Sequence, residues 1–402
     1  MMPTIFLLRC LFSFCCFFAA ILVCTLMSRL QQLTISGDST EGTARKTQGE
    51  FIEKDTQNQN ENLLTPRARR RSLIIFGHDR SGTTFISTMF AKDPQIFLVY
   101  EPLWITQYWK FYQGLDCLNC DLEVVNSIVS CNFSRYSTSR KFLYYVEAPW
   151  TGALPVNIFK TPKFCNKLNS MNNELHCPKP RDNPEFVDDV CRTKFKHSVV
   201  KVSPVRLPRE KIANLVPQVL LENPDVDVRI LHLVRDPRGN INSRIDIKWI
   251  KDFPNPHLGK TARELCSTIA ENLAYAKTTL KKFNLDHRYK VVLYKQIADD
   301  PLGTARDIYK FAEFSMPLET EKWILESTRP NGDQLKKALE NPFSPVRNAT
   351  GNADKWRKDE FFERNQVVEN ECRALIALLG LEKVSEPQTI FSSKVKLNII
   401  KR

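Results

Sequence analysis

Residues 72–85 read Ser72-Leu-Ile-Ile-Phe76-Gly77-His78-Asp79-Arg80-Ser81-Gly82-Thr83-Thr84-Phe85. The short apolar run to Phe76 predicts a buried strand, stopped by Gly77, and helical spacing begins at Ser81. A strand, a Gly-x4-Gly loop and a helix start together form an anion cradle. Backbone N–H groups and the helix dipole there converge on a phosphate-like group. The loop departs from a Walker A motif, because Thr83-Thr84 stand where Lys-Ser/Thr would follow the second glycine. Its lack of that lysine argues against a γ-phosphate and the usual Mg²⁺ site. By itself the loop is read equally well as a plain strand-to-helix turn.

Further β-branched runs follow at Ile96–Tyr100, Ser198–Val202, Val228–Val234 and Tyr289–Tyr294. Asp300-Pro301 supplies an N-cap and an N1 proline, after which Leu302, Ala305, Ile308, Tyr309 and Ala312 share one helical face. This βα alternation predicts an α/β fold with a doubly wound, mostly parallel sheet. Residues 102–192 lack the rhythm and read as an insertion. The strand at Val228–Val234 runs into Arg235-Asp-Pro-Arg-Gly-Asn-Ile-Asn-Ser243-Arg244. An arginine fork closing a strand, with a hydroxyl two helical turns on, suits a second phosphate, though an ordinary turn is again an equal reading.

The chain has 402 residues and a formal net charge of +13, of which ten lie on residues 72–402. The basic balance favours an anionic partner. With 26% charged and 10% aromatic residues the chain is not disordered throughout, and 13 Gly exclude a collagen-like repeat. Eighteen uncharged residues, Cys10–Met27, form the one long apolar stretch. It exceeds the ~7–15 residue core of a cleaved signal peptide. The expected layout is therefore a cytosolic tail (1–9), a signal-anchor transmembrane helix (10–28), a polar stem (29–71) and a lumenal domain (72–402). The Arg67–Arg71 run, RARRR, reads either as a solvated basic edge or as a processing site that would release a shed form. Eight cysteines lie beyond the anchor, six of them within 102–192, which suggests disulfides. Cys117-x-x-Cys120 lacks a second such pair, so no metal is expected. Asn132-Phe-Ser134 and Asn348-Ala-Thr350 are N-glycosylation acceptors in keeping with a lumenal chain.

Taken together, RSGTTF after a strand and LVRDPRGNINSR about 150 residues later resemble the 5′- and 3′-phosphosulfate-binding motifs of sulfotransferases. The layout is similar to the Golgi carbohydrate 6-O-sulfotransferases of galactose, N-acetylglucosamine and N-acetylgalactosamine. Tyr100–Trp104 (YEPLW), Val205–Pro208 (VRLP), Trp356-Arg357, Cys372 and Leu378-Leu-Gly380 add to the likeness, which covers residues 72–382. Tyr294-Lys295-Gln296-Ile297 departs from it, where that family usually has Tyr-Glu-Asp-Leu.

The resemblance implies a sulfotransferase fold and 3′-phosphoadenosine-5′-phosphosulfate (PAPS) as co-substrate, without metal. It implies a glycan or glycosaminoglycan acceptor with sulfate placed on O6, and no nucleic-acid partner; a homodimer stays open. Arg80, Ser81, Gly82, Thr83, Thr84 and Phe85 would form the 5′-phosphate cradle, and Arg235 with Ser243 a separate 3′-phosphate clamp. Arg80 would stabilise the bridging oxygen as the S–O bond breaks. Glu101, just past a strand end and so facing the ligand crevice, is the expected general base. His78 and His197 are read as structural, with the 102–192 insertion shaping the acceptor site. Two other readings are a tyrosylprotein sulfotransferase and a non-catalytic lumenal glycan-binding protein.

Overall fold

The structure is a computed structural model that describes residues 69–112, 119–146, 157–167, 175–341, 343–347, 349–358, 361–384 and 387. The expected anchor, most of the stem and the sequon residue Asn348 lie outside these residues. Among the described residues no helix is long and apolar enough to cross a membrane.

Five parallel strands form the main sheet: β1 (Arg71–Phe76), β2 (Ile96–Tyr100), β5 (His197–Val202), β6 (Asp227–Val234) and β7 (Tyr289–Leu293). Their order is β2-β5-β1-β6-β7, while β3 (Asn166–Lys167) and β4 (Leu175–His176) make a small antiparallel pair. β1 is thus central, with β5 and β6 as its neighbours, so the strand order reverses at the cradle. Open α/β sheets place their ligand crevice at such a point, beyond the strand C-termini.

Alternation along each strand builds a core on both faces. Ile74 and Phe76 join Val99, Val200 and Ile230 on one face, whereas Leu73 and Ile75 join Leu98, Val199 and Leu233 on the other. Helix α1 (Thr83–Ala91) and helix α5 (Pro301–Ala312) cover the second face through Ile86, Met89, Phe90, Ile308 and Tyr309. Asp300 caps α5 by accepting from Gly303 N at 2.9 Å.

The first face is covered from within 102–192. Helix α2 (Cys120–Ser130) lays Val124, Val125, Ile128 and Val129 against the sheet, each fully buried. That segment, expected as an insertion, therefore includes one of the two covering layers. Its missing βα rhythm has a plain cause: it holds helices and a two-residue strand pair. Disulfides Cys131–Cys191 and Cys165–Cys177 fasten it, and Cys120 is also disulfide-bonded. A third described pair, Cys266–Cys372, ties helix α4 (Leu258–Tyr275) to the C-terminal helices.

The basic run at 67–71 enters the central strand. Arg70 donates its Nη1 to Phe195 O at 3.1 Å, and its own carbonyl accepts from Asp227 N at 2.9 Å. Arg71 is already the first residue of β1. A protease cutting after Arg70 would cleave the peptide bond that leads into β1, where Arg70 is itself bonded to Phe195 and Asp227.

His197 opens β5 and stacks on Phe314 at 4.2 Å. Burial and the nearby Arg71, Arg70 and Lys196 pull its pKa down to about 4, while burial pulls His232 down to about 3. Unfolded histidines take up protons near pH 6.5, so the unfolded chain binds more protons than the fold between there and the folded values. Stability is then lost as pH falls through that window. The melting midpoint is expected to drop from pH 7 to pH 5, and His197→Phe, which keeps the stack, should shallow the drop. Equal slopes would rule out His197 as a contributor.

Candidate functional site

The cradle forms because Gly82 sits at φ 90, ψ 8, ahead of α1, and supplies no capping side chain. The first-turn N–H groups of α1 have no intrahelical carbonyl to meet, and Gly82 to Phe85 line an open cleft. Any Cβ at Gly82 would lie 2.7 Å from the Tyr294 ring, so neither the backbone angle nor the space tolerates a side chain. Ser81 is wholly buried, its Oγ accepting from Asn240 Nδ2 at 3.4 Å. Thr84 Oγ1 meets Tyr100 OH at 3.0 Å, joining the cradle to the end of β2.

Helix α3 (Pro237–Asp246) carries the second element. Arg235, buried, donates to Arg80 O at 3.0 Å and Asn352 O at 3.1 Å, and its guanidinium lies 4.4 Å from the Tyr294 ring centre. Its Nε is buried without a partner. Ser243 Oγ accepts from Arg80 Nε at 2.9 Å. Cradle and clamp, expected as separate, are thus joined through Arg80 in this structure. Gly239 lets the helix approach: a Cβ there would sit 3.0 Å from Trp356 and 3.2 Å from Arg235 Nε.

Arg347 completes a set of three guanidiniums on the cleft. It donates to the carbonyls of Ala338, Val346 and Asn341. Burial, followed by the neighbouring charges of Arg235 and Arg347, holds Arg80 below the usual arginine pKa. Among the described residues lining this cleft there is no carboxylate. Three cations, a helix N-terminus and an orphaned buried Nε together fit a ligand with several negative charges.

Glu101 follows β2 at φ 46, and Arg80 stands at φ 70. Both expected catalytic residues therefore hold a backbone conformation that non-glycine residues seldom adopt, which is commonest where function requires it. Glu101 Oε1 forms an ion pair with Lys201 Nζ, a lysine with 1% side-chain exposure near the end of β5. Burial opposes the lysine's charge, but Glu101, Tyr100 and Asp79 outweigh it and raise its pKa. The pair anchors the carboxylate, the expected general base, by one oxygen.

Neither histidine suits that role. His78 is 1% exposed and bonded to Glu210 at 3.2 Å, with burial lowering its pKa; His197 lies at the N-terminal end of β5, away from the crevice. Asn132 is half-buried just past α2, its N–H donating to Ser127 O at 2.9 Å. The Lys295-Gln296 departure has a structural account. Lys295 pairs with Asp299 at 2.6 Å and Asp354 at 3.0 Å, and Gln296 caps its helix by accepting from Leu293 N at 2.8 Å.

The motif reading missed Lys201, Tyr294 and Arg347. A lysine inside the β-branched run Ser198–Val202 was the available signal for the first, since lysine is seldom buried unless paired. Arg347 had none, because it reaches the cleft from an irregular segment.

A family model, the sulfotransferase domain, matches residues 70–380, and the chain belongs to this family. It is similar to carbohydrate sulfotransferase 3 of Mus musculus, 24% identical over 357 residues that cover 82% of this chain and 71% of that protein. Carbohydrate sulfotransferase 5 of Homo sapiens is 26% identical over 351 residues, 78% of each chain. Among solved structures, the sulfotransferase domain from the curacin biosynthetic pathway aligns with a TM-score of 0.41 and 13% identity, covering 78% of this chain and 99% of that one.

Proposed function

We propose that the protein transfers a sulfuryl group from PAPS to a sugar hydroxyl, O6 of galactose, N-acetylgalactosamine or N-acetylglucosamine, in a glycan or glycosaminoglycan. The observation that carries this reading is the carboxylate-free cleft on which Arg80, Arg235 and Arg347 converge, with Glu101 at the adjacent strand end. When bound, PAPS supplies an activated sulfuryl group on a 5′-phosphate leaving group. The α1 N-terminus and Arg80 hold that phosphate and balance the charge it gains. Arg235 and Ser243 take the 3′-phosphate, for which Arg80 would exchange its bond to Ser243. Glu101 Oε2 accepts the proton of the acceptor hydroxyl, while Lys201 keeps the carboxylate in place.

The tyrosylprotein and non-catalytic alternatives are not favoured. The sequence supports a Golgi, lumenal placement behind the Cys10–Met27 signal-anchor, with glycans on Asn132 and Asn348. The deciding assay is labelled sulfate transfer from PAPS to keratan, chondroitin and N-glycan acceptors beside a tyrosine peptide. Transfer to one glycan class is expected; transfer to the peptide alone would overturn the reading. Glycosidase treatment should also increase the mobility of the cell-made protein, and an unshifted cytosolic product would refute the lumenal placement.

A further inference from the structure

A second cationic feature lies at the opposite end of the sheet, where β1 and β5 begin. A groove of about 1180 Å³ opens there, lined among others by Arg70, Lys163, Arg192, Lys194 and Lys196. The charges on its walls are unequally matched. Three of its carboxylates are already engaged: Asp188 by Phe133 N and the Ser134 hydroxyl on the same wall, Glu185 by Arg140, and Glu313 by Arg229 and by Arg71, the one groove cation that is ion-paired among the described residues. The other cations named above are not so matched. Arg70 bonds a carbonyl and a sulfur, leaving its Nε buried and unpartnered. Lys163 and Lys194 donate to backbone carbonyls, and Arg192 and Lys196 have no ion pair among the described residues. Crowding of like charge is felt locally: burial and then Arg192 bring Arg70 down to about 10.

We propose that this groove is an exosite for a polyanionic glycan, the class of product the catalytic cleft makes, and so the inference rests on the function proposed above. Cations spread along a groove match sulfates or carboxylates spaced along a sugar chain better than they match one convergent phosphate. Asp189, Ser134 and Gln95, also on the walls, supply partners for sugar hydroxyls. Holding an already sulfated stretch there would keep the polymer on the enzyme between transfers.

The test uses the full chain on immobilised chondroitin sulfate and heparin. The triple variant Arg192→Glu, Lys194→Glu, Lys196→Glu is compared with Lys277→Glu, Lys281→Glu, Lys282→Glu, whose exposed residues lie outside the groove. The groove triple should bind on the order of 100-fold more weakly, at roughly fivefold for each cation, and raise KM for a long sulfated acceptor. Binding of 3′-phosphoadenosine-5′-phosphate and turnover of a monosaccharide acceptor should stay unchanged, which also shows the variant to be folded. Equal losses in the two triples, or a loss seen only on phosphatidylserine vesicles, would overturn the proposal. Groove-dependent glycan binding in a protein that sulfates no sugar would instead uphold the exosite and refute the proposed function.

Discussion

Replacing Glu101 by glutamine is expected to leave PAPS affinity nearly intact while lowering sulfate transfer by ~10²–10⁴-fold, the usual cost of a lost general base. The side chain keeps its size, and its amide oxygen can still accept from Lys201, so the β2–β5 junction should hold. What disappears is the capacity to take the acceptor's proton. Lys201→Met provides the contrast, because it leaves the carboxylate without its anchor and should reduce turnover without removing the base. Single-turnover rates at saturating acceptor, beside equilibrium binding of 3′-phosphoadenosine-5′-phosphate, separate these outcomes. A folded Glu101→Gln enzyme with near-normal turnover would place the base elsewhere; buried His78, bonded to Glu210, would be a poor replacement.

Arg235→Ala should produce the other large effect. A charge-assisted contact to the 3′-phosphate contributes about 1.5–3 kcal/mol, or roughly 10–150-fold in affinity. Arg235 also fastens the cradle through Arg80 O and rests on Tyr294. Some loss is therefore expected even for a nucleotide lacking the 3′-phosphate, with the larger loss for the one that carries it. Ser243→Ala, which removes only the acceptor of the Arg80 Nε bond at 2.9 Å, should show the discrimination with a smaller common loss. Calorimetry with both nucleotides measures the difference. Equal losses in both variants would mean that these residues only support the fold.

The strands were legible because buried parallel strands write themselves as β-branched runs; all five main-sheet strands fall within a residue or so of the expected bounds. Residues 102–192 were not, since α2 meets the sheet through Val124, Val125, Ile128 and Val129, whose partners are far away in sequence. At the site, the same split holds. Arg80, Ser81, Arg235 and Ser243 belong to local motifs whose spacing carries their chemistry. Arg347 reaches the cleft, and Lys201 meets Glu101, only through tertiary packing, and the Arg80–Ser243 bond joins positions that no local pattern relates.

The placement of β1 between β5 and β6 has a consequence for how the chain is made. Its first neighbour, β5, is translated about 120 residues after it and its second, β6, about 150 residues after it. At ~5–20 residues per second the Leu73–Phe76 strand waits roughly 8–30 s before both edges can pair. Throughout that interval an apolar strand with at least one open edge, and two until β5 is made, is held beside the emerging chain, a template for mispairing with other molecules. A product halted before His197 can never close the sheet around it. Solubility of the chain up to Lys196 is thus decided by strands that are made only after it.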